Sequence, residues 1–378
     1  DIYAMSGILE HALDFYRKSF KIFREIDDRR GVADQLGNMG IVYRYRGDLD
    51  YALQYQTDAL KIHREEGCRD GEANALGNLG LIYRDMGSMD MAIDHFKQAH
   101  ELQKEDGNLQ GLANTIGNLG IIYRQVGNPQ KALENHMEAL AIHRQIGFRR
   151  GEASDLGNIG VISTIMGRLA DALDYHDKAR AIYSELGIRQ GEANQLGCMG
   201  MIYRNMGDPD KSIRYHNEAL AKHREVGFQQ GQAADLNNLA NACSDKGDLD
   251  KALEYHLEAL AIQQERGFKS GEADTLGNIG LVYREKGDLA KAYEYQQQAL
   301  SIHREVGSLQ GQAADLSNIG LIHKDRGDLD QALSFYTKAI SLERQVGFKK
   351  GEAVDLCNIG DIYIRKGVLD TARSYLRQ

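Results

Sequence analysis

Residues 271–307 read GEADTLGNIGLVYREKGDLAKAYEYQQQALSIHREVG. From Glu272 to Lys286 only glycines at helical positions interrupt the pattern, and Gly287 stops it. Asp288 follows, a side chain suited to accept hydrogen bonds from the free N–H groups of a helix's first turn. A second helix then runs to about Glu305 and ends at Gly307, the residue type that closes helices in the left-handed conformation. The connections are short, so successive helices are expected to pack antiparallel.

The same stretch recurs along the chain. Glycines stand 40 residues apart from Gly7 to Gly367, and a second row runs from Gly31 to Gly351. A third runs from Gly67 to Gly347, with Asp27 standing where its first member would be. A fourth runs from Gly40 to Gly360, broken by Ala240, and a fifth holds Gly37, Gly77, Gly117, Gly157, Gly197 and Gly277. These five rows absorb all 41 glycines. A length of 378 residues by itself suggests two or three globular domains. The ruler replaces that expectation with one continuous array over 1–378, of about nine and a half helix-turn-helix repeats. Asp1-Ile2-Tyr3 matches Asp361-Ile362-Tyr363 in register, so the chain is expected to begin within a first helix and stop within a second. Three glycine rows are expected at helix boundaries, and the Gly40 row at a helix crossing.

Helical geometry sorts the first helix into two arcs. Leu36, Met39, Gly40 and Tyr43 form a core stripe, whereas Asp34, Gly37, Asn38, Ile41, Arg44 and Tyr45 lie opposite. The second helix carries Ala52 and Ala59, small residues that recur and let neighbouring helices approach closely. Asp48, Asp208, Asp248 and Asp328, with Ser88 and Asn128, are expected as caps of the second helix, and Pro129 and Pro209 fit its first position.

Composition removes several function classes. With 42% apolar residues the chain is not disordered, 2 prolines rule out Pro-rich linkers, and no apolar run reaches the ~18 residues of a membrane span. A net charge of −9 argues against general nucleic-acid binding, which leans on clustered cations. The row Arg29, Arg30, Arg149, Arg150, Lys349, Lys350 along one turn edge lacks an aromatic platform. Cys68, Cys198, Cys243 and Cys357 show no paired spacing, which points to a reducing, cytoplasmic compartment and no metal framework. No nucleophile triad, phosphate loop or paired-carboxylate pattern is present, so an enzyme is not expected and no cofactor is implied.

The run L-x-N-x-G-x-x-Y at Leu36–Tyr43, the Gly47-Asp48 turn and Ala52 with Ala59 resemble the tetratricopeptide repeat. The period is 40 rather than 34 residues, Leu replaces the usual first-helix aromatic, and Arg replaces the usual late proline. This long form is similar to the arrays of the Pins/LGN polarity adaptors and, more loosely, to kinesin light chain and bacterial signalling sensors. The resemblance implies an all-α fold, a right-handed α-solenoid whose first helices line a concave channel.

Two rows on the arc opposite the core carry the functional expectation. Asn38, Asn78, Asn118, Asn158, Asn238, Asn278, Asn318 and Asn358 offer amides that match the N–H and C=O of an extended peptide, with Cys198 the break. The competing reading is that each Asn bonds the adjoining repeat and orders the stack. Arg44, Arg84, Arg124, Arg204 and Arg284, with Lys324, suit an acidic ligand, or alternatively pair with Asp85, Glu285 and Asp325. The Gly37 row either opens access to the Asn amides or tightens packing between first helices. The row Arg24, Arg64, Arg144, Arg224, Arg304 and Arg344 ends the second helix, where cations complement the helix dipole. Thr164, Ile165, Cys198, Asn237, Asn241 and Ser244 depart from the pattern, so ligand contacts that set register are expected between Thr164 and Asp245. His136, His176, His216 and His256 read as packing rather than metal ligands, and His63, His143, His223 and His303 as either a duplicated two-repeat unit or a surface preference.

The chain therefore reads as a scaffold for an extended, acidic segment of a partner protein. The alternative is a sensor or oligomerisation module of a larger signalling protein, and the uncapped ends suggest self-association.

Overall fold

The computed structural model describes the backbone of residues 2–376 and the side chains of residues 9–375. Asp1 and the side chains of Ile2 and Tyr3, on which the register of the chain start rests, lie outside the described residues. Every element among those described is helical. The first helices of the repeats are α2 (Arg29–Arg46), α4 (Arg69–Asp85), α6 (Leu109–Gln125), α8 (Arg149–Ile165), α10 (Arg189–Asn205), α12 (Gln229–Asp245), α14 (Lys269–Glu285), α16 (Leu309–Arg326) and α18 (Lys349–Arg365). The second helices are α1 (Ile2–Glu25), α3 (Leu49–Glu65), α5 (Met89–Glu105), α7 (Pro129–Gln145), α9 (Leu169–Glu185), α11 (Pro209–Glu225), α13 (Leu249–Arg266), α15 (Leu289–Glu305), α17 (Leu329–Val346) and α19 (Leu369–Leu376).

Two compact units share the chain, Asp1–Ile202 and Tyr203–Gln378. Within each, consecutive helices pack as the antiparallel pairs of an α-solenoid. The expected stripe is the core: Leu36, Leu76, Ile116 and Leu156 are buried in the first unit, and Leu236, Leu276, Leu316 and Leu356 in the second. Each such side chain contributes about 1.5–3 kcal/mol by leaving water. Ala52 and Ala59 and their equivalents from α5 to α17 are fully buried where second helices close on their neighbours.

The glycine rows resolve into two physical requirements. From Gly47 to Gly367 the turn glycines adopt positive φ, and Asp27, with φ 58°, is the non-glycine residue in that conformation. At α15 the Gly307 and Ser308 amides close the end on the Arg304 and His303 carbonyls, satisfying groups the helix leaves open. The Gly40 row fits its expected crossing: an added Cβ at Gly80 would stand 2.7 Å from the Phe96 ring, and at Gly160 2.7 Å from His176. The Gly31 row departs from expectation. It is not a boundary but the third residue of each first helix, and the side chain eight residues earlier fills the space a Cβ would need. At Gly151 that neighbour is His143, and at Gly231 it is His223, both 2.7 Å from the Cβ position. Gly7 also departs, since α1 runs through it unbroken.

Capping is mixed. Asn128, Asp208, Asp248 and Asp288 accept from the backbone as expected, whereas Asp48, Ser88 and Asp328 do not. The Asp48 carboxylate is drawn instead to Arg46, and Asp328 lies 3.6 Å from His323. Asp28, Asn108 and Ser308 cap first helices by accepting from Gly31, Gly111 and Gly311.

Candidate functional site

Within each unit the first helices touch one another directly, α2 with α4 and α6 with α8 in the first, α14 with α16 and α16 with α18 in the second. Their shared face is the arc opposite the core. Between α2 and α4 a pocket of about 590 Å³ is lined by Asp34, Gly37, Asn38, Ile41, Asn74 and Asn78, with Gln56 and His63 reaching it from α3. Between α6 and α8 the equivalent pocket, about 400 Å³, is lined by Asn114, Gly117, Asn118, Ile121, Ser154 and Asn158, with Arg150 beside it. His136, His143 and Asp155 form its floor. Between α12 and α14 the pocket of about 480 Å³ holds Gln230, Asn237, Lys269 and Asp274.

The asparagine row lies along this face, half-buried throughout. Among the described residues, the amides of Asn38, Asn78, Asn118, Asn238, Asn278 and Asn318 have no hydrogen-bond partner in the protein, and none is sealed from solvent. Asn158 donates back to the Ser154 carbonyl at 3.0 Å, and Asn358 accepts from Lys324 at 3.3 Å. Of these, Asn38, Asn78 and Asn118 line the grooves and present both a donor and an acceptor there, and Asn238, Asn278 and Asn318 hold the equivalent helix positions. Asn74 and Asn114 stand one helical turn earlier on the same face and enlarge the row. Sequence reasoning passed over them, although their four-residue offset from Asn78 and Asn118 is the signal of a shared face.

The Gly37 row divides. A Cβ at Gly77 would meet nothing within 4 Å, whereas at Gly157 it would stand 3.0 Å from Gln195 of the next first helix. At Gly37 and Gly277 the carbonyl accepts from Gln56 and Gln296, at 2.7 and 2.8 Å. Asn237 and Ser317 occupy the same row and bridge forward to Thr275 and Asp355. Asn237 also accepts from His256 at 2.7 Å, so it belongs to the joint between repeats.

The arginine row is mostly occupied. Arg44 pairs with Asp85 at 2.7 Å, Arg204 with Asp245 at 2.5 Å and Arg284 with Asp325 at 2.5 Å, each reaching the next first helix. Arg84 turns to Asp85 at 2.7 Å, and Lys324 lies 3.3 Å from Asp361. Between them Arg44 and Arg84 hold the Asp85 carboxyl below its ordinary range against the effect of burial. Arg124 differs. Its Nε is buried without a hydrogen-bond partner, and Ile165 stands where the other rungs hold Asp. The second unit shows the reverse defect: Ser244 replaces the arginine, its hydroxyl buried and unpartnered, and Glu285 has no ion pair among the described residues.

Behind the groove lies a polar interior that the sequence did not reveal. His136 and His143 donate through Nδ1 to the two oxygens of Asp155, at 3.0 and 2.7 Å. His216 and His223 meet Asp235 likewise, at 3.4 and 2.7 Å, and His303 meets Asp315 at 2.6 Å. The His63 row is therefore buried, which overturns a surface preference: its rings cover the Gly71-type glycines, and His143, His223 and His303 bond the next first helix, whereas His63 Nδ1 has no hydrogen-bond partner among the described residues. Burial lowers His176, and lowers His256 to about 4. The arginines that end the second helices add ties to the next repeat, Arg64 to Glu72 at 2.8 Å and Arg144 to Glu152 at 2.9 Å.

The family profile of the tetratricopeptide repeat matches residues 71–145, 191–265, 271–345 and 312–378, and a second tetratricopeptide profile matches 32–66. The chain belongs to the tetratricopeptide repeat family. No curated protein matches it in sequence. Among solved structures, the tetratricopeptide fold is similar to the apo form of the quorum sensor NprR from B. thuringiensis, with TM-score 0.63 and 14% identity over 90% of this chain and 99% of that one. A Rap protein complexed with Competence and Sporulation Factor gives TM-score 0.60 and 17% identity, again over 90% and 99%. A signal transduction ATPase with a tetratricopeptide repeat sensor, from Pyrococcus horikoshii, gives 0.63 and 16% over 93% of this chain and 55% of that longer one.

Proposed function

We propose that this tetratricopeptide chain is a protein-interaction scaffold that holds an extended peptide segment along the shared face of its first helices. The single observation behind the reading is the row of asparagine amides with no partner in the protein, facing the grooves between first helices. Had the row served to order the stack, those amides would bond the neighbouring repeat, as Asn237 does. A repeating donor–acceptor pair suits main chain rather than particular side chains, so it supports affinity without strict sequence preference. The solved neighbours are consistent with it, one being a quorum sensor and another a complex with a named factor. The 40-residue spacing continues through α10, so we read 1–378 as one array.

The acidic preference rests on fewer residues than the sequence suggested. Arg44, Arg204 and Arg284 already carry a carboxylate, which leaves Arg124 and the groove-lining Arg150 as the cations of this face in the first unit. A random peptide library displayed on phage provides the probe. Replacing Asn78, Asn118 and Asn278 together by Ala is expected to weaken retained peptides by at least about tenfold, taking about 0.5–1.5 kcal/mol per lost hydrogen bond. Helicity by circular dichroism should stay unchanged. Equal affinity in the triple variant would overturn the reading.

A second reading, self-association, has its own observation. Phe15, Ile22 and Ile26 are exposed along α1 or just beyond its end. Light scattering over a concentration series should show an assembly that dissociates when all three become Ser.

A further inference from the structure

We infer that the groove between α6 and α8 holds a ligand carboxylate at Arg124, and that this rung sets the register of the bound segment. The inference rests on the peptide-binding reading above and goes beyond it by naming one anchoring point.

A defect in an otherwise regular device points to it. At 80-residue spacing the first helices carry Arg44, Arg124, Arg204 and Arg284, and the positions 41 residues further on hold Asp85, Ile165, Asp245 and Asp325. Three of these rungs are closed ion pairs of 2.5–2.7 Å. In the remaining one the carboxylate is missing while the guanidinium stays. Arg124 Nε is cut off from water and has no acceptor, a state that costs free energy because a charged donor is only half solvated. An exposed surface arginine would not need an acceptor, but this one does. Ile165, which takes the place of the missing carboxylate 41 residues further on, is 56% exposed and presents an aliphatic side chain to solvent. Thr164 does not compensate, because its hydroxyl donates to the Gly160 carbonyl of its own helix at 3.0 Å.

On α6 Arg124 follows Ile121 by three residues and Asn118 by six, and both of these line the pocket. A segment held by the Asn118 amide therefore passes Arg124 within the next few residues. The fork of a guanidinium takes a carboxylate through two parallel N–H donors, which discriminates geometry as well as charge. The apolar wall at Ile165 favours an aliphatic group next to that carboxylate. The ligand supplies what the chain itself supplies at the other three rungs. A uniform asparagine row alone lets a peptide slide by one residue at little cost, and a single unmatched charge removes that freedom.

The test uses the full chain and a random peptide library on phage, with Ile165→Asp and Arg124→Gln as variants. Ile165→Asp changes an exposed residue and rebuilds the rung found at Arg44 and Asp85, so its fold is expected to hold. Peptides retained by the unmodified chain should carry a carboxylate at a constant position beside an aliphatic residue. Their affinity should fall about tenfold or more in both variants. Resynthesis separates the two sources of that group: changing Asp or Glu to its amide tests a side chain, and C-terminal amidation tests a chain end. One of the two changes should remove the preference. Peptides that lose affinity on removing Asn78, Asn118 and Asn278 yet ignore Arg124 and Ile165 would overturn this inference and leave the scaffold reading standing. If no retained peptide responds to the asparagine variant, both fall.

Discussion

The joint between α7 and α8 and the joint between α17 and α18 use the same two repeat positions for opposite chemistry. In the first, His143 from the second helix meets Asp155 from the next first helix, with His136 on the other carboxylate oxygen. In the second, Glu343 stands in the histidine position and Asp355 in the aspartate position, with Tyr336 in place of His136. The backbone treats them alike: Gly151 lies under His143 and Gly351 under Glu343. The proton balance differs. Imidazole N–H groups donate to Asp155, whereas burial and the neighbouring Asp355 and Glu352 charges push the Glu343 carboxyl up to about 7. Asp355 is raised by burial as well, against the hydrogen bonds from Ser317 and Asn358. The array thus accepts either a hydrogen-bonded or a frustrated joint at one geometry, and stability becomes local to the repeat.

The largest expected effect comes from breaking the matched joint. Asp155→Ala leaves two buried imidazole donors unsatisfied, at about 1–3 kcal/mol each. Hydrogen exchange should speed up in α7 and α8 and much less in α17 and α18. Equal loosening in both places would mean that the array unfolds as one unit and the contrast is void.

The frustrated joint responds in the opposite direction. Folded Glu343 keeps a proton that the unfolded chain releases from its ordinary value of 4.5 upward, so stability falls as pH rises from 4.5 to about 7 and then levels. Glu343→Gln is expected to stabilise α17 and α18 by about 1–3 kcal/mol at pH 8 and to add nothing at pH 4. Urea unfolding at the two pH values checks it, and a gain of equal size at both would remove the charge explanation.

His256 provides a third case, a buried imidazole whose acceptor is the neutral Asn237 amide rather than a carboxylate. With its folded value lowered to about 4, it stays neutral while the unfolded chain takes up a proton below 6.5. Stability is then full above 6.5 and lost as pH falls towards 4. His256→Gln, the residue already present at Gln56 and Gln296, should flatten that acid slope by about 1–2 kcal/mol. The smallest effect lies outside both joints. Asp27→Gly replaces the non-glycine residue at positive φ and should raise the melting temperature by the equivalent of about 0.5–1 kcal/mol.

Much of the molecule was legible before any coordinates. Repeat length, helix pairs, turn glycines and the two arcs of the first helix follow from residues within one period, because helical geometry links each residue to its third and fourth neighbours. The asparagine row was legible for the same reason. The Gly31 row was misjudged as a boundary because its cause is a side chain placed eight residues earlier on another helix. The His63 row offered two readings because nothing local distinguishes an exposed from a covered histidine near a helix end.

What the sequence by itself determined is the solenoid and the face that any ligand would meet, since both are properties of a period. Only the tertiary structure decided which charges on that face are spent. Arg44 and Arg124 look identical within their own helices, yet one holds Asp85 and the other has Ile165 at the equivalent position. The difference lies 41 residues away, where a second first helix either completes the hydrogen bonds of a buried guanidinium or leaves them open.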